Sequence, residues 1–225
     1  MKTQSKFAIV FTAALAAALH STSAAIITNG SFETPDTTTF IAISAGQNTL
    51  APWVVGLTGV DLSDVNNGFV IGAAYDGSQY IDLDGSPGPG QLTQAFATTP
   101  GQLYDVTFAY ANNYVNQPGG AFASVRLFDG LGDRLNDTIT HSGSSSGSLN
   151  WILYSGQFTA VLSTTSFEIT SLSQPGSQGG ILLDAVAVQN APEPASATLL
   201  LLGAALCFHR RRAPASERNA SSETN

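Results

Sequence analysis

The clearest signal along this 225-residue chain is an alternation of large apolar positions with small or polar ones. Tyr104, Val106, Phe108 and Tyr110 alternate with Asp105, Thr107 and Ala109, so four large side chains fall on one side of an extended strand. The same period of two separates Ala121, Ala123, Val125 and Leu127 from Phe122, Ser124, Arg126 and Phe128, and sets Ile81 and Leu83 against Asp82 and Asp84. Further strands are predicted over 91–96, 151–159, 165–171 and 181–188. Clusters of Gly, Pro, Asn and Ser at 84–90, 100–101, 116–120, 143–147 and 175–176 separate them, supplying the positive or fixed φ that chain reversal needs. No helical periodicity and no internal repeat interrupts this pattern between 26 and 190. The prediction is an all-β fold, an antiparallel β-sandwich of jelly-roll type.

The two ends read differently from the middle. Lys2 and Lys6 precede an apolar stretch over 7–19, and Ser23, Ala24 and Ala25 follow, which predicts a secretory signal peptide over 1–25. At the other end an uncharged run over 195–208 lies between Pro192, Glu193, Pro194 and Arg210, Arg211, Arg212, with a polar tail over 213–225. As a helix that run would reach roughly 21 Å against a hydrocarbon core of about 30 Å, short for a lasting anchor and adequate for a transient hold. A plain C-terminal anchor with the arginines on the cytoplasmic side is the alternative. The remaining 26–190 is the length of one domain with a proper core.

Charge narrows the partners. Residues 26–190 carry 13 Asp and Glu against Arg126 and Arg134, with no lysine. Such a surface repels phosphate backbones, which argues against nucleic acid as a partner. The single cysteine, Cys207, lies in the terminal run, so the domain has no internal disulfide. His141 is the domain's only histidine, which leaves no His cluster for zinc and no Cys-His pair, and it reads as a strand-end residue facing solvent. Gly143 to Gly147 matches G-x-S-x-G in form, but it joins two strands, and the only later histidine is His209. A catalytic site is not expected there. Carboxylate catalysis would need two acidic groups at a set separation; Asp82 and Asp84 share a strand face but lie among turn residues. Sugar recognition would combine an aromatic ring with amides, and Tyr110, Asn112, Asn113 and Tyr114 at the end of the strongest strand are the candidates, with Trp53 and Tyr75 as possible additions.

Four segments in order carry a family resemblance: "IITNGSFETP", "APWVVGLTGVDL", "GSQYIDLDGSPGPGQLTQAFATTPGQLYDVTFAYANN" and "GGILLDAVAVQN". Together they resemble the DUF642 and choice-of-anchor type of secreted domain, which is similar in fold to galactose-binding-like carbohydrate-binding modules. That resemblance implies a structural calcium ion, with Glu33 and Asp184 as side-chain ligands and carbonyls near residues 29–31 as helpers; the alternative is a surface Glu33 and an Asp184 bonded to backbone N–H groups. The tail resembles the PEP-CTERM sorting signal, whose processing partner is an exosortase-type enzyme in bacteria that make exopolysaccharide, although 13 residues follow the arginines here. The expectation is therefore an exported, non-catalytic protein of a Gram-negative envelope or extracellular matrix, sorted through a transient inner-membrane stage. It would bind carbohydrate or build matrix in an exopolysaccharide or biofilm. A polysaccharide-acting hydrolase and a purely adhesive protein without a small ligand are the alternatives.

Overall fold

The computed structural model describes residues 25–66, 71–85, 88–117 and 119–192. The expected signal peptide as far as residue 24, and the expected sorting signal from Glu193 through Pro194 to Arg210, Arg211 and Arg212, lie outside the described residues. Of that signal only Pro192 is described, and it is exposed.

The alternation read from the sequence becomes strands. In chain order they are β1 (Ile41–Ser44), β2 (Val54–Leu57), β3 (Gly59–Asp64), β4 (Gln79–Asp82), β5 (Gly90–Ala97), β6 (Leu103–Asn112), β7 (Ala121–Asp129), β8 (Gly132–His141), β9 (Ile152–Thr159), β10 (Thr164–Ser171) and β11 (Ile181–Asn190), with no helix among the described residues. They pair antiparallel into a six-stranded sheet, β1-β3-β4-β11-β6-β9, and a five-stranded sheet, β2-β5-β10-β7-β8. The two sheets face each other as a sandwich. Val106 and Phe108 of β6 meet Val125 and Leu127 of β7 and Phe167 of β10 in one buried cluster. Phe108 and Phe167 touch edge to face at 6.0 Å, and Trp53 bridges Phe32 and Phe167 at 5.5 and 5.9 Å. Each such side chain contributes about 1.5–3 kcal/mol by leaving water.

The N-terminal segment locks the sandwich along one edge. Ile26 N–H donates to Val188 O at 2.8 Å, and the Gln94 amide both accepts from Thr28 N–H (2.8 Å) and donates to Thr28 O (2.9 Å). The register of β11 breaks between Asp184 and Ala187, and Gly30 sits against that break, its carbonyl accepting from Val186 N–H at 2.9 Å. A Cβ on Gly30 would meet the Val186 carbonyl, so only glycine fits. At the far end Ala191 N–H donates to Leu103 O.

One detail departs from the sequence reading. His141 does end β8, but its side chain is not solvent-facing: the residue is only 4% exposed, with Nδ1 2.7 Å from Asn112 Oδ1 and Nε2 2.9 Å from Asn150 O. A ring set between two polar loops can be buried because both nitrogens find partners.

Candidate functional site

The functional face follows from how the six-stranded sheet is covered. β3 and β4 are buried on both sides, whereas β5, β7 and β10 alternate between buried and half-exposed positions. Chain between the strands folds over the outer face of the larger sheet and builds a second, smaller cluster there. Tyr80, Ala111, Leu149 and Leu182 form it, with Tyr114 and Trp151 packed against its edge. Trp151 meets Tyr80 at 5.9 Å and Tyr75 at 6.4 Å, and its Nε1 donates to Ala73 O at 3.0 Å. Burial pushes the Tyr80 phenol up to about 12.

Beside this cluster lies a cleft of about 330 Å³. Its rings are Phe40, 39% exposed at the rim, and Tyr80 in the wall. Its polar groups come from separate elements: Asp61 and Ser63 of β3, Asp82 of β4, Asn113 and Asn116 of the loop after β6, and Gln178 before β11. Asp61 and Asp82 are direct cross-strand partners, which brings both carboxylates to one wall.

Asp82 organises that wall. Its Oδ1 accepts from Asp84 N–H and Gly180 N–H, each at 3.0 Å, and its Oδ2 accepts from Asn113 Nδ2 at 2.8 Å. Burial pushes its carboxyl up to about 7, against the opposing pull of these three donors. Asn113 Oδ1 in turn accepts from Val115 and Asn116 N–H, and Asn116 Nδ2 donates to Gln178 O, so the two rim loops are tied to each other through the wall. Behind it Asp84 is fully buried, with no hydrogen-bond partner for either carboxylate oxygen among the described residues. Both aspartates are thus interior groups, not members of a solvated turn.

The four residues expected to touch sugar separate here. Asn113 lines the cleft. Tyr114 is half-buried against the outer cluster, and Tyr110 packs toward the inter-sheet core, 6.0 Å from Phe108. Asn112 is buried between loops, donating to Gln117 O and accepting from Ser144 N–H. Trp53 belongs to the core, and Tyr75 is exposed beside Trp151. Phe40, Asp61, Ser63, Asn116 and Gln178 were not legible as site residues, because no local pattern joins them. Register and loop closure do.

Glu33 and Asp184 come to the same loop by different routes. Glu33 Oε1 accepts from Ser78 and Gln79 N–H, and its Oε2 from the Ser78 hydroxyl. Asp184 Oδ2 accepts from Tyr75 and Asp76 N–H, and its Oδ1 from Ala185 N–H. Burial pushes Asp184 up to about 7 despite those donors. Among the described residues no three His, Cys, Asp or Glu side chains come together to hold a metal. In this arrangement the two carboxylates fasten loop 75–79 to the N-terminal segment and to β11.

A second depression, of about 400 Å³, lies at the β7–β8 turn among Phe128, Asp129 and Leu162. It is more open and has no amide side chain in its wall, and Asp129 is held there by Arg134 at 3.0 Å.

Among solved structures the fold is similar to that of TmCBM61 in complex with β-1,4-galactotriose, at 17% identity and a TM-score of 0.52, covering 74% of this chain and 99% of that one. A structure described as "CBM4 structure and function" matches at 16% identity and a TM-score of 0.43, covering 73% of this chain and 99% of that one. A family 35 carbohydrate-binding module from Clostridium thermocellum matches at 16% identity and a TM-score of 0.43, covering 68% of this chain and 98% of that one. No curated protein matches the sequence. The family model described as "Protein of unknown function (DUF642)" matches residues 25–189, and the chain belongs to that family.

Proposed function

We propose that this protein binds carbohydrate, without catalysis, in the cleft on the outer face of the six-stranded sheet. The observation that carries the reading is the composition of the cleft: an exposed Phe40 ring for the C–H face of a sugar, surrounded by the Ser63 hydroxyl, the Asn113, Asn116 and Gln178 amides and two carboxylates for its hydroxyls. The likeness in fold to TmCBM61, which was solved with a galactotriose, supports it. Export by a signal peptide over 1–25 and sorting through the tail from Pro192 belong to the same reading. They place the domain at the envelope or in an exopolysaccharide matrix.

A hydrolase is the second reading, and the Asp61–Asp82 pair in one cleft is the observation that favours it. The non-catalytic reading fits better because Asp82 is occupied on both oxygens by Asn113, Asp84 and Gly180, leaving it a structural rather than a reacting group.

Phe40→Ala is expected to weaken binding to the neutral glycans that the wild type retains by at least about tenfold, in line with the loss of one ring–sugar contact. Phe122→Ala, which removes a 48% exposed ring from the other sheet, should leave binding unchanged. Affinity electrophoresis against a panel of neutral polysaccharides measures both. Equal loss in the two variants would remove the cleft as the site, and release of reducing ends from a retained glycan would favour the hydrolase.

A further inference from the structure

The chain leaves the sandwich at one end, and the cleft opens at the other. Ala191 N–H donates to Leu103 O at 3.0 Å, so the exit at Ala191 and Pro192 lies beside the first residue of β6. From there β6 runs ten residues to Asn112, roughly 30 Å at about 3.3 Å per residue. The rim residues Asn113 and Asn116 follow its far end, and Gln178 stands just before β11, whose first residue pairs with Asn112.

Three turns share the exit end. The turn over 98–102 joins β5 to β6 and the turn over 160–163 joins β9 to β10, tied by Gly101 N–H to Ala160 O (2.8 Å) and Thr98 N–H to Ser163 O (3.0 Å). The β7–β8 turn packs beside them, where a Cβ on Gly130 would lie 3.6 Å from the Leu162 side chain. These turns hold apolar side chains in water: Leu131 is 68% exposed, Val161 41% and Leu162 37%. Charge at this end is largely balanced. Arg134 bonds Asp129, Arg126 bonds Asp133 and Glu168, and Asp105 near the start of β6 accepts from Gln157 Nε2.

The sequence beyond the exit gives this end a partner. Pro192 is three residues from Ala195, where the uncharged run over 195–208 begins, and three extended residues span only about 10 Å. With that run held in a bilayer, the exit end is brought to the headgroup layer. Leu131, Val161 and Leu162 can leave water there, and paired charges limit repulsion by an anionic leaflet.

We propose that, while the tail is held in the membrane, the end of the sandwich bearing Leu131, Val161 and Leu162 rests on the lipid surface and the cleft is presented at the opposite end, away from it. This rests on the reading of the tail as a membrane-held sorting segment and goes beyond it by naming the surface that meets the bilayer. A glycan then reaches the cleft without the membrane in its way.

The test uses the full-length protein in vesicles of phosphatidylcholine and phosphatidylglycerol in which some headgroups carry a nitroxide. Cys207→Ser removes the native thiol, and Leu131→Cys, Val161→Cys or Val115→Cys then supplies a single site for an environment-sensitive fluorophore, with circular dichroism confirming each fold. Val115, 56% exposed at the cleft, marks the far end. The expected result is blue-shifted emission at positions 131 and 161, quenched several-fold more strongly by the nitroxide than an unshifted emission at 115. Equal quenching at the three positions, or stronger quenching at 115, overturns the orientation while leaving the membrane hold of the tail intact. If the protein does not float with the vesicles, the reading of the tail falls and takes this inference with it, whereas carbohydrate binding is judged separately by Phe40→Ala.

Discussion

The outer faces of the two sheets come from the same alternation and end in opposite conditions. On the five-stranded sheet the outward side chains stay at the surface and pair with each other: Arg126 lies directly across from Glu168, bonds it and Asp133, and covers the Phe128 ring at 4.8 Å. On the six-stranded sheet the equivalent positions, Asp61, Tyr80, Asp82 and Leu182, are buried under loops. A sheet needs one covered face to fold, so cover on the second face is structure beyond the minimum, and here it forms the cleft. Charge follows the same division. Asp133, facing Arg126, is favoured in its ionised form, while Asp82 under the loops is not.

Removing the cover should have the largest effect. Trp151→Ala takes away the ring that holds Tyr75 and Tyr80 and the bond to Ala73, and is expected to destabilise the fold by about 2–4 kcal/mol in chemical denaturation. It should also open the cleft to solvent and weaken glycan binding. Loss of binding without loss of stability would mean that Trp151 touches the ligand instead of supporting the wall.

The pH response separates the two faces next. Asp82, raised from 3.8 to about 7, holds its proton better folded than unfolded. Its contribution is complete below about pH 4 and is lost as pH rises through 7. Asp133 behaves oppositely: the Arg126 guanidinium holds it below its ordinary value, so its contribution is present near neutrality and lost in acid. Thermal unfolding should therefore show a higher Tm near pH 5 than near pH 8, and Asp82→Asn should flatten part of that slope. A Tm that climbs steadily to pH 8 in the wild type would contradict this account of the buried wall.

The smallest effect belongs to the open face. Arg126→Ala breaks two ion pairs at the surface and should cost no more than about 1 kcal/mol, with glycan binding unchanged. A larger loss would show that the open face is more tightly coupled than its exposure implies.

Legibility varied along the chain for physical reasons. β6 and β7 were plain because one side of each is core and the other is not, so apolar and polar residues alternate. β8 was hidden: it is an edge strand with most of its length exposed, and its sequence GDRLNDTITH carries no apolar alternation. β3 was hidden for the opposite reason, since burial on both sides of a short GVDLSD segment leaves no polar face to mark it. The motif residues that were legible, Gly30, Glu33, Gln94 and Asp184, proved to be fastenings that join the N-terminal segment, loop 75–79 and the break in β11. Local sequence advertises such residues because a close backbone approach or a buried carboxylate tolerates few alternatives.

By itself the sequence determined the all-β class, the inward faces of the long strands, the acidic character of the domain and the absence of an internal disulfide or a histidine cluster. Those properties depend on periodicity and composition, which are local or additive. Only the tertiary structure decided that Asp61 stands across from Asp82, that Phe40 and Gln178 share a rim, and that Arg126 and Arg134 are held on the far sheet. Contacts between residues far apart in sequence depend on register and loop closure, and the cleft is made almost wholly of such contacts.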